Sequence, residues 1–151
     1  MLDKPVPDFS LPATDGKVFQ LSAERGHPLL LYFYPKDSTP GCTTEAGQFR
    51  DLRDEFKKLD CSVYGISRDS LKSHENFKAK LALPFELLAD TEEIACTLFA
   101  VIKLKKLYGK EVRGIERSTF LIDAKGVLRR EWRAVKADGH ATEVLSAFQS
   151  L

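Results

Sequence analysis

Residues 29–59 read LLLYFYPKDSTPGCTTEAGQFRDLRDEFKKL. The opening run, Leu29–Tyr34, is unbroken apolar and aromatic sequence, the pattern of a strand covered on both faces. The PKDSTPG that follows is turn chemistry, rich in proline, aspartate, serine and glycine. Beyond it Ala46, Phe49, Leu52, Phe56 and Leu59 recur at three- and four-residue spacing, one apolar helical stripe. A strand, a turn and a helix therefore follow in order, and Cys42 falls where the helix begins. A helix start has free backbone N–H groups and the positive end of the helix dipole. Both favour negative charge, and the thiolate is the nucleophilic form of cysteine. Cys42 is thus a candidate nucleophile. Its bland alternative is a small buried core residue, a common fate of free cysteine.

The neighbours of Cys42 suit the sharper reading. Pro35 and Pro40 stiffen the turn and remove two N–H donors. A stiff turn holds a nucleophile in place at lower entropic cost. Gly41 lets the backbone approach closely, and Thr39 is near enough in sequence to place a hydroxyl beside the sulfur. Glu45, in the first helical turn, can meet the N-terminal N–H groups or an arginine.

Working outward, strand-length apolar runs occur at Val63–Ser67, Phe85–Ala89, Thr119–Ile122 and Val127–Trp132. Asp123–Gly126 reads as the tight turn of an antiparallel hairpin. Val18–Leu21, after the Asp15-Gly16 turn, reads as a small edge strand. Helical spacing recurs in residues 70–81, through Ser70, His74, Phe77 and Leu81. Asp90-Thr-Glu-Glu93 resembles a capping box ahead of Ile94, Leu98 and Phe99. Val144, Leu145, Phe148 and Leu151 mark a last amphipathic helix. Residues 100–117, AVIKLKKLYGKEVRGIER, fit no clear element and read as a solvated basic loop; a phosphate- or nucleic-acid-binding surface is the alternative. Strands alternating with helices and ending in a hairpin imply an α/β fold with a central mixed sheet flanked by helices. A thioredoxin-like arrangement fits most simply, as one domain over residues 1–151.

Composition excludes several function classes. The 43% apolar and 30% charged shares are those of an ordinary soluble domain. A formal charge of +1 gives no global drive toward nucleic acid or membrane. No stretch reaches the roughly 18 apolar residues of a membrane span, and no secretory signal is visible at the N-terminus. The three cysteines, at 42, 61 and 96, are too few and too far apart for a disulfide framework and suit a reducing cytoplasm. No CxxC pair exists, so neither a zinc site nor a dithiol oxidoreductase is expected.

Pro35-xxx-Thr39-xx-Cys42 resembles the PxxxTxxC motif of peroxiredoxins. The longer YFYPKDSTPGCTTEA, the opening PVPDFSLPATDGK and the distant Gly114-Ile-Glu-Arg117-Ser-Thr-Phe-Leu-Ile-Asp123 are similar to the bacterioferritin comigratory protein (PrxQ) subfamily. The resemblance runs over essentially the whole chain. It implies a thioredoxin-like thiol peroxidase that reduces hydrogen peroxide and organic hydroperoxides without a cofactor. Cys42 would be the peroxidatic cysteine, passing through a sulfenic acid. Thr39 would accept or relay a hydrogen bond to the peroxide. Arg117 would hold the thiolate and stabilise the polarised O–O bond, and Pro35 would shield the site from water.

The chain departs from that pattern in its second thiol. Members of the subfamily carry a resolving cysteine just after the first, where Gly47 stands here, or in the second helix, where His74–Ala82 hold none. Cys61 opens a strand and reads as core. Cys96 is the remaining candidate resolving cysteine. The leading expectation is a one-cysteine mechanism in which thioredoxin, glutaredoxin or glutathione reduces Cys42 directly, in a monomer or homodimer. A non-catalytic holdase or redox sensor on the same fold is the competing class. A Cys–His protease pairing with His27, His74 or His140 finds no supporting motif.

Overall fold

The computed structural model describes residues 1–149, the side chain of Leu107 aside. Near the start, β1 (Ser10–Pro12) pairs antiparallel with β2 (Val18–Gln20). The chain then builds β3 (Leu29–Phe33), α1 (Pro40–Asp51), α2 (Arg53–Lys58) and β4 (Ser62–Ser67). Next come α3 (Leu71–Leu81), β5 (Leu87–Ala89) and α4 (Ile94–Leu98). It closes with β6 (Ile102–Leu107), β7 (Lys110–Ile115), β8 (Ser118–Ile122), β9 (Leu128–Trp132) and α5 (His140–Gln149). The central sheet has the order β5-β4-β3-β8-β9. Its first three strands are mutually parallel, while β8 and β9 each run antiparallel to their neighbours. This is the mixed sheet that the alternation of elements predicts.

Strand alternation divides the core into two halves. Leu29, Leu31 and Phe33 point to one side and pack with Phe9, Phe19, Cys96, Phe99 and Phe120. Leu30, Tyr32 and Tyr34 point to the other and pack with Cys42, Phe49, Phe56, Phe77 and Val144. Helices α1, α2, α3 and α5 therefore cover one face, and α4 with the N-terminal strands covers the other. The β8–β9 turn closes with a Gly126 N–H to Asp123 carbonyl bond of 3.0 Å, as Asp123–Gly126 predicts. Ser70 caps α3 through its hydroxyl, which accepts the Ser73 N–H at 3.1 Å.

Three expectations change. The helix expected to run on to Leu59 is broken at Leu52 into α1 and α2, although Ala46, Phe49 and Phe56 still share one core cluster. Residues 100–117 are no loop: β6 and β7 form an antiparallel ribbon joined by Tyr108-Gly109, both at positive φ (52° and 78°). Such a pair is the backbone of a two-residue hairpin turn. The ribbon's basic residues are indeed solvated, and Leu104 and Val112 are exposed as well. Finally, Asp90 and Glu93 form no capping box. Asp90 accepts N–H groups from Ile94 and Cys96, both at 2.7 Å, but Glu93 turns outward to Arg68 and Arg113. Leu151 of the last helical stripe lies outside the described residues.

Candidate active site

Cys42 is the third residue of α1, directly against the sheet, with 1% of its surface exposed. Pro40 occupies the first position of the helix, where a missing N–H costs nothing. Thr39 is the N-cap in an extended conformation, but its hydroxyl caps no N–H. It donates instead to the Lys36 carbonyl at 2.8 Å. With its proton so committed, the Thr39 oxygen is left as an acceptor. Pro35 is solvent-exposed at the mouth of the turn.

Arg117 arrives from the start of β8, a strand antiparallel to β3, and so reaches across to the helix that follows β3. One guanidinium nitrogen donates to Cys42 Sγ at 3.4 Å and the other to Glu45 Oε1 at 2.7 Å. Glu45 is fully buried, and its Oε2 has no hydrogen-bond partner among the described residues. Burial pushes the Glu45 carboxyl up to about 7, against the opposing pull of Arg117. The Arg117 guanidinium is held charged by Glu45 and Cys42 despite the cost of burial. The sequence left Glu45 between the helix N–H groups and an arginine; the structure places it on the arginine. Glycine at 41 leaves the guanidinium room, because an added Cβ would lie 3.1 Å from Arg117 Nη2.

The three histidines are engaged elsewhere: His27 with Glu24, His74 with Asp37 and the Leu88 carbonyl, and His140 with Thr119 and Glu143. A Cys–His pairing at Cys42 is therefore not formed. Asp37, Asp69 and His74 bring three potential ligand atoms within 4.8 Å of one another. His74 and Asp37 are, however, already bonded to each other at 2.7 Å.

Of the other two cysteines, Cys61 shares the core cluster of Cys42, and Cys96 does not. Cys96 is the third residue of α4 and lies in the core cluster on the opposite face of the sheet. Burial raises its thiol well above the ordinary range, and the Asp90 carboxylate raises it further. Cys61 precedes β4, and burial pushes its thiol up to about 12. All three cysteines are free thiols. The expectation of Cys96 as a resolving partner for Cys42 meets a sheet standing between them.

A thioredoxin-like sheet that offers a helix-start cysteine to a strand-borne guanidinium points to the thiol peroxidases as a class. The AhpC/TSA family model matches residues 2–131. Peroxiredoxin Bcp of Xanthomonas campestris is 49% identical over 152 residues, spanning 99% of this chain and 95% of that protein. Peroxiredoxin Bcp of Bacillus subtilis is 50% identical over 145 residues, spanning 96% and 92%. A solved structure of the Xanthomonas campestris bacterioferritin comigratory protein, studied for alkyl peroxide reduction, matches with a TM-score of 0.90 at 49% identity, over 94% of this chain and 90% of that one. The chain belongs to the AhpC/TSA family and, within it, to the Bcp/PrxQ peroxiredoxins, which are thiol peroxidases.

Proposed function

We propose that Cys42 is the peroxidatic nucleophile for hydrogen peroxide and organic hydroperoxides, and that an external thiol recycles it. The carrying observation is the Arg117 guanidinium, which touches Cys42 Sγ at 3.4 Å. The thiolate sulfur attacks the terminal oxygen of ROOH and the O–O bond breaks. The products are Cys42–SOH and RO⁻, and RO⁻ takes up the proton that the thiol gave away. Negative charge thus moves from sulfur to the departing oxygen. A fixed cation beside both stabilises that movement without reorganising. Thr39 accepts the peroxide O–H and orients it, while Pro35 flanks the mouth of the turn.

The sulfenic acid is then consumed by a thiol R′SH. Sulfur–sulfur bond formation releases water, and a second R′SH returns Cys42–SH and leaves R′SSR′. Cys96, behind the sheet, is a poor resolving partner, and Cys61 is held as a buried thiol. The reductant is therefore external, of the thioredoxin, glutaredoxin or glutathione class. Free thiols throughout fit a reducing cytoplasm. Among the described residues, no helix is long and apolar enough to cross a membrane.

The test is stoichiometric hydrogen peroxide followed by dimedone trapping and mass spectrometry, beside a non-reducing gel. The expected result is an adduct on Cys42 and no disulfide within or between chains. A Cys42–Cys96 disulfide would replace the one-cysteine cycle, and a Cys42 no more reactive than free cysteine would end the peroxidase mechanism drawn here.

A further inference from the structure

Behind the Cys42 turn lies a buried polar cluster that the chemistry above does not use. Asp37 is a charged residue in a surface turn, yet it is only 5% exposed. Its Oδ1 accepts the Tyr34 hydroxyl at 2.6 Å. Its Oδ2 accepts the Ser73 hydroxyl at 2.8 Å and faces His74 Nδ1 at 2.7 Å. Its backbone N–H donates to Asp69 Oδ2 at 2.8 Å, and that oxygen also takes the Ser67 hydroxyl at 2.7 Å. One residue thus ties the turn to β3, to the end of β4 and to the first turn of α3.

The hydrogen bonds of His74 fix its chemistry. The ring is fully buried, and its second nitrogen, Nε2, faces the Leu88 carbonyl of β5 at 2.9 Å. Burial works against a charge on Asp37, but the bonds from His74 and Tyr34 outweigh it and keep the carboxylate form. His74 therefore stands between two acceptors, a carboxylate and a carbonyl. The result is a buried hydrogen-bonded pair, in which removing either partner leaves a polar atom of the other without its bond.

The pair sits where the catalytic cycle needs both order and release. Ser38, the next residue, has φ +63°, a left-handed conformation uncommon outside glycine, so this turn has to be held. Yet Cys42 is 1% exposed, and the thiol of a reductant cannot reach that sulfur until the turn or the start of α1 moves. We propose that His74 and Asp37 are positioning residues forming a latch, which holds residues 35–42 in the peroxide-reactive arrangement and opposes the opening that reduction requires. The proposal rests on Cys42 being the peroxidatic cysteine.

A latch predicts opposite effects on the two half-reactions, whereas a merely structural residue would impair both. His74→Gln keeps a donor at the Leu88 end and loses the one at the Asp37 end; Asp37→Asn removes the charge at nearly constant volume. Sulfenate formation at Cys42 with hydrogen peroxide should slow about tenfold in each variant. Return of the thiol with dithiothreitol should speed up severalfold. Amide exchange should rise in residues 36–43 and stay unchanged in β3 and β4. If His74→Gln fails to fold, Ser73→Ala removes a single bond to Asp37 and should shift the same three measurements in the same directions. Slowing of both half-reactions, uniform exchange, or variants indistinguishable from wild type would overturn the latch while leaving the peroxidase reading intact. Wild-type protein that forms no sulfenate at Cys42 would overturn that reading, and the latch with it.

Discussion

Cys42 and Cys96 occupy the same place in their helices, the third residue, and are buried to the same degree on opposite faces of one sheet. By the helix-dipole argument alone they should behave alike. What differs is the charge brought to each. At α4 the Asp90 carboxylate takes the first-turn N–H groups of Ile94 and Cys96 and sits beside the thiol. The positive end of that helix is thereby neutralised. At α1 the N-cap Thr39 sends its hydroxyl away to Lys36, and the charge beside the sulfur is the Arg117 guanidinium. A helix start makes a cysteine available for activation; the residue that occupies the helix end decides whether activation happens. On this account Cys96 packs the core, and Cys42 is the nucleophile proposed above.

The largest effect should separate the two cysteines outright. Cys42→Ser should lower peroxide consumption by more than about 1,000-fold, since no other group supplies the sulfur. Cys96→Ala should leave steady-state turnover with thioredoxin unchanged and cost about 1 kcal/mol in urea unfolding through its small cavity. Loss of turnover in Cys96→Ala, with the fold retained, would make Cys96 part of the cycle and break the contrast. Next in size, Arg117→Ala should slow sulfenate formation roughly 100- to 1,000-fold, the scale of losing a preorganised charge-stabilising donor. Stopped-flow measurement of the peroxide step alone checks this. If only the reductive step slowed, Arg117 would belong to recycling.

Glu45 gives a pH test of the same electrostatics. Its carboxyl sits near 7 in the folded protein, above the ordinary 4.5, because burial outweighs Arg117. The folded state therefore binds the proton more tightly than the unfolded state does. Its contribution to stability is fully present below about 4.5 and declines as pH rises through about 7. At roughly 1.4 kcal/mol per pKa unit, wild type should lose on the order of 3 kcal/mol relative to Glu45→Gln between those limits. Chemical unfolding of both proteins across the range gives the difference directly. Parallel curves would mean that Arg117 holds Glu45 ionised throughout.

Legibility in the sequence followed the range of the interactions. Leu29–Phe33 and the Ala46–Phe49–Phe56 stripe were readable because burial imposes a local period on them. The β6–β7 ribbon was not, because both its faces meet solvent and burial writes no apolar run into it. The readable signal there was Tyr108-Gly109, a turn pair inside a basic stretch. The capping box at Asp90 failed for the opposite reason: Glu93 had a local role available, and two arginines from other segments drew it away. At the site, Cys42 and its turn were legible from local chemistry. Arg117 came only through the family motif, since 75 residues separate it from the sulfur it touches. The Asp37–His74 bond, across 37 residues, left no trace in any local pattern.

The smallest predicted effect isolates the position of Arg117 from its charge. Gly41→Ala adds one methyl group whose carbon would lie 3.1 Å from Arg117 Nη2 and 3.8 Å from Ala137 Cβ. The guanidinium is the far end of a flexible side chain, so it can yield by a few tenths of an ångström, and the fold survives. Alanine in the first turn of a helix is favoured over glycine by up to about 1 kcal/mol, so stability should hold or rise slightly. The displaced guanidinium moves relative to Cys42 Sγ while Glu45 still anchors its other nitrogen. Sulfenate formation should therefore fall about tenfold with no loss of thermal stability, because small misplacements of a catalytic group are costly. The arginines nearest Cys96, Arg68 and Arg113, are held by Glu93, so the corresponding change beside it, Ala95→Gly, should alter stability alone. Equal peroxide rates in Gly41→Ala and wild type would show that the charge of Arg117 matters at Cys42 and its placement does not.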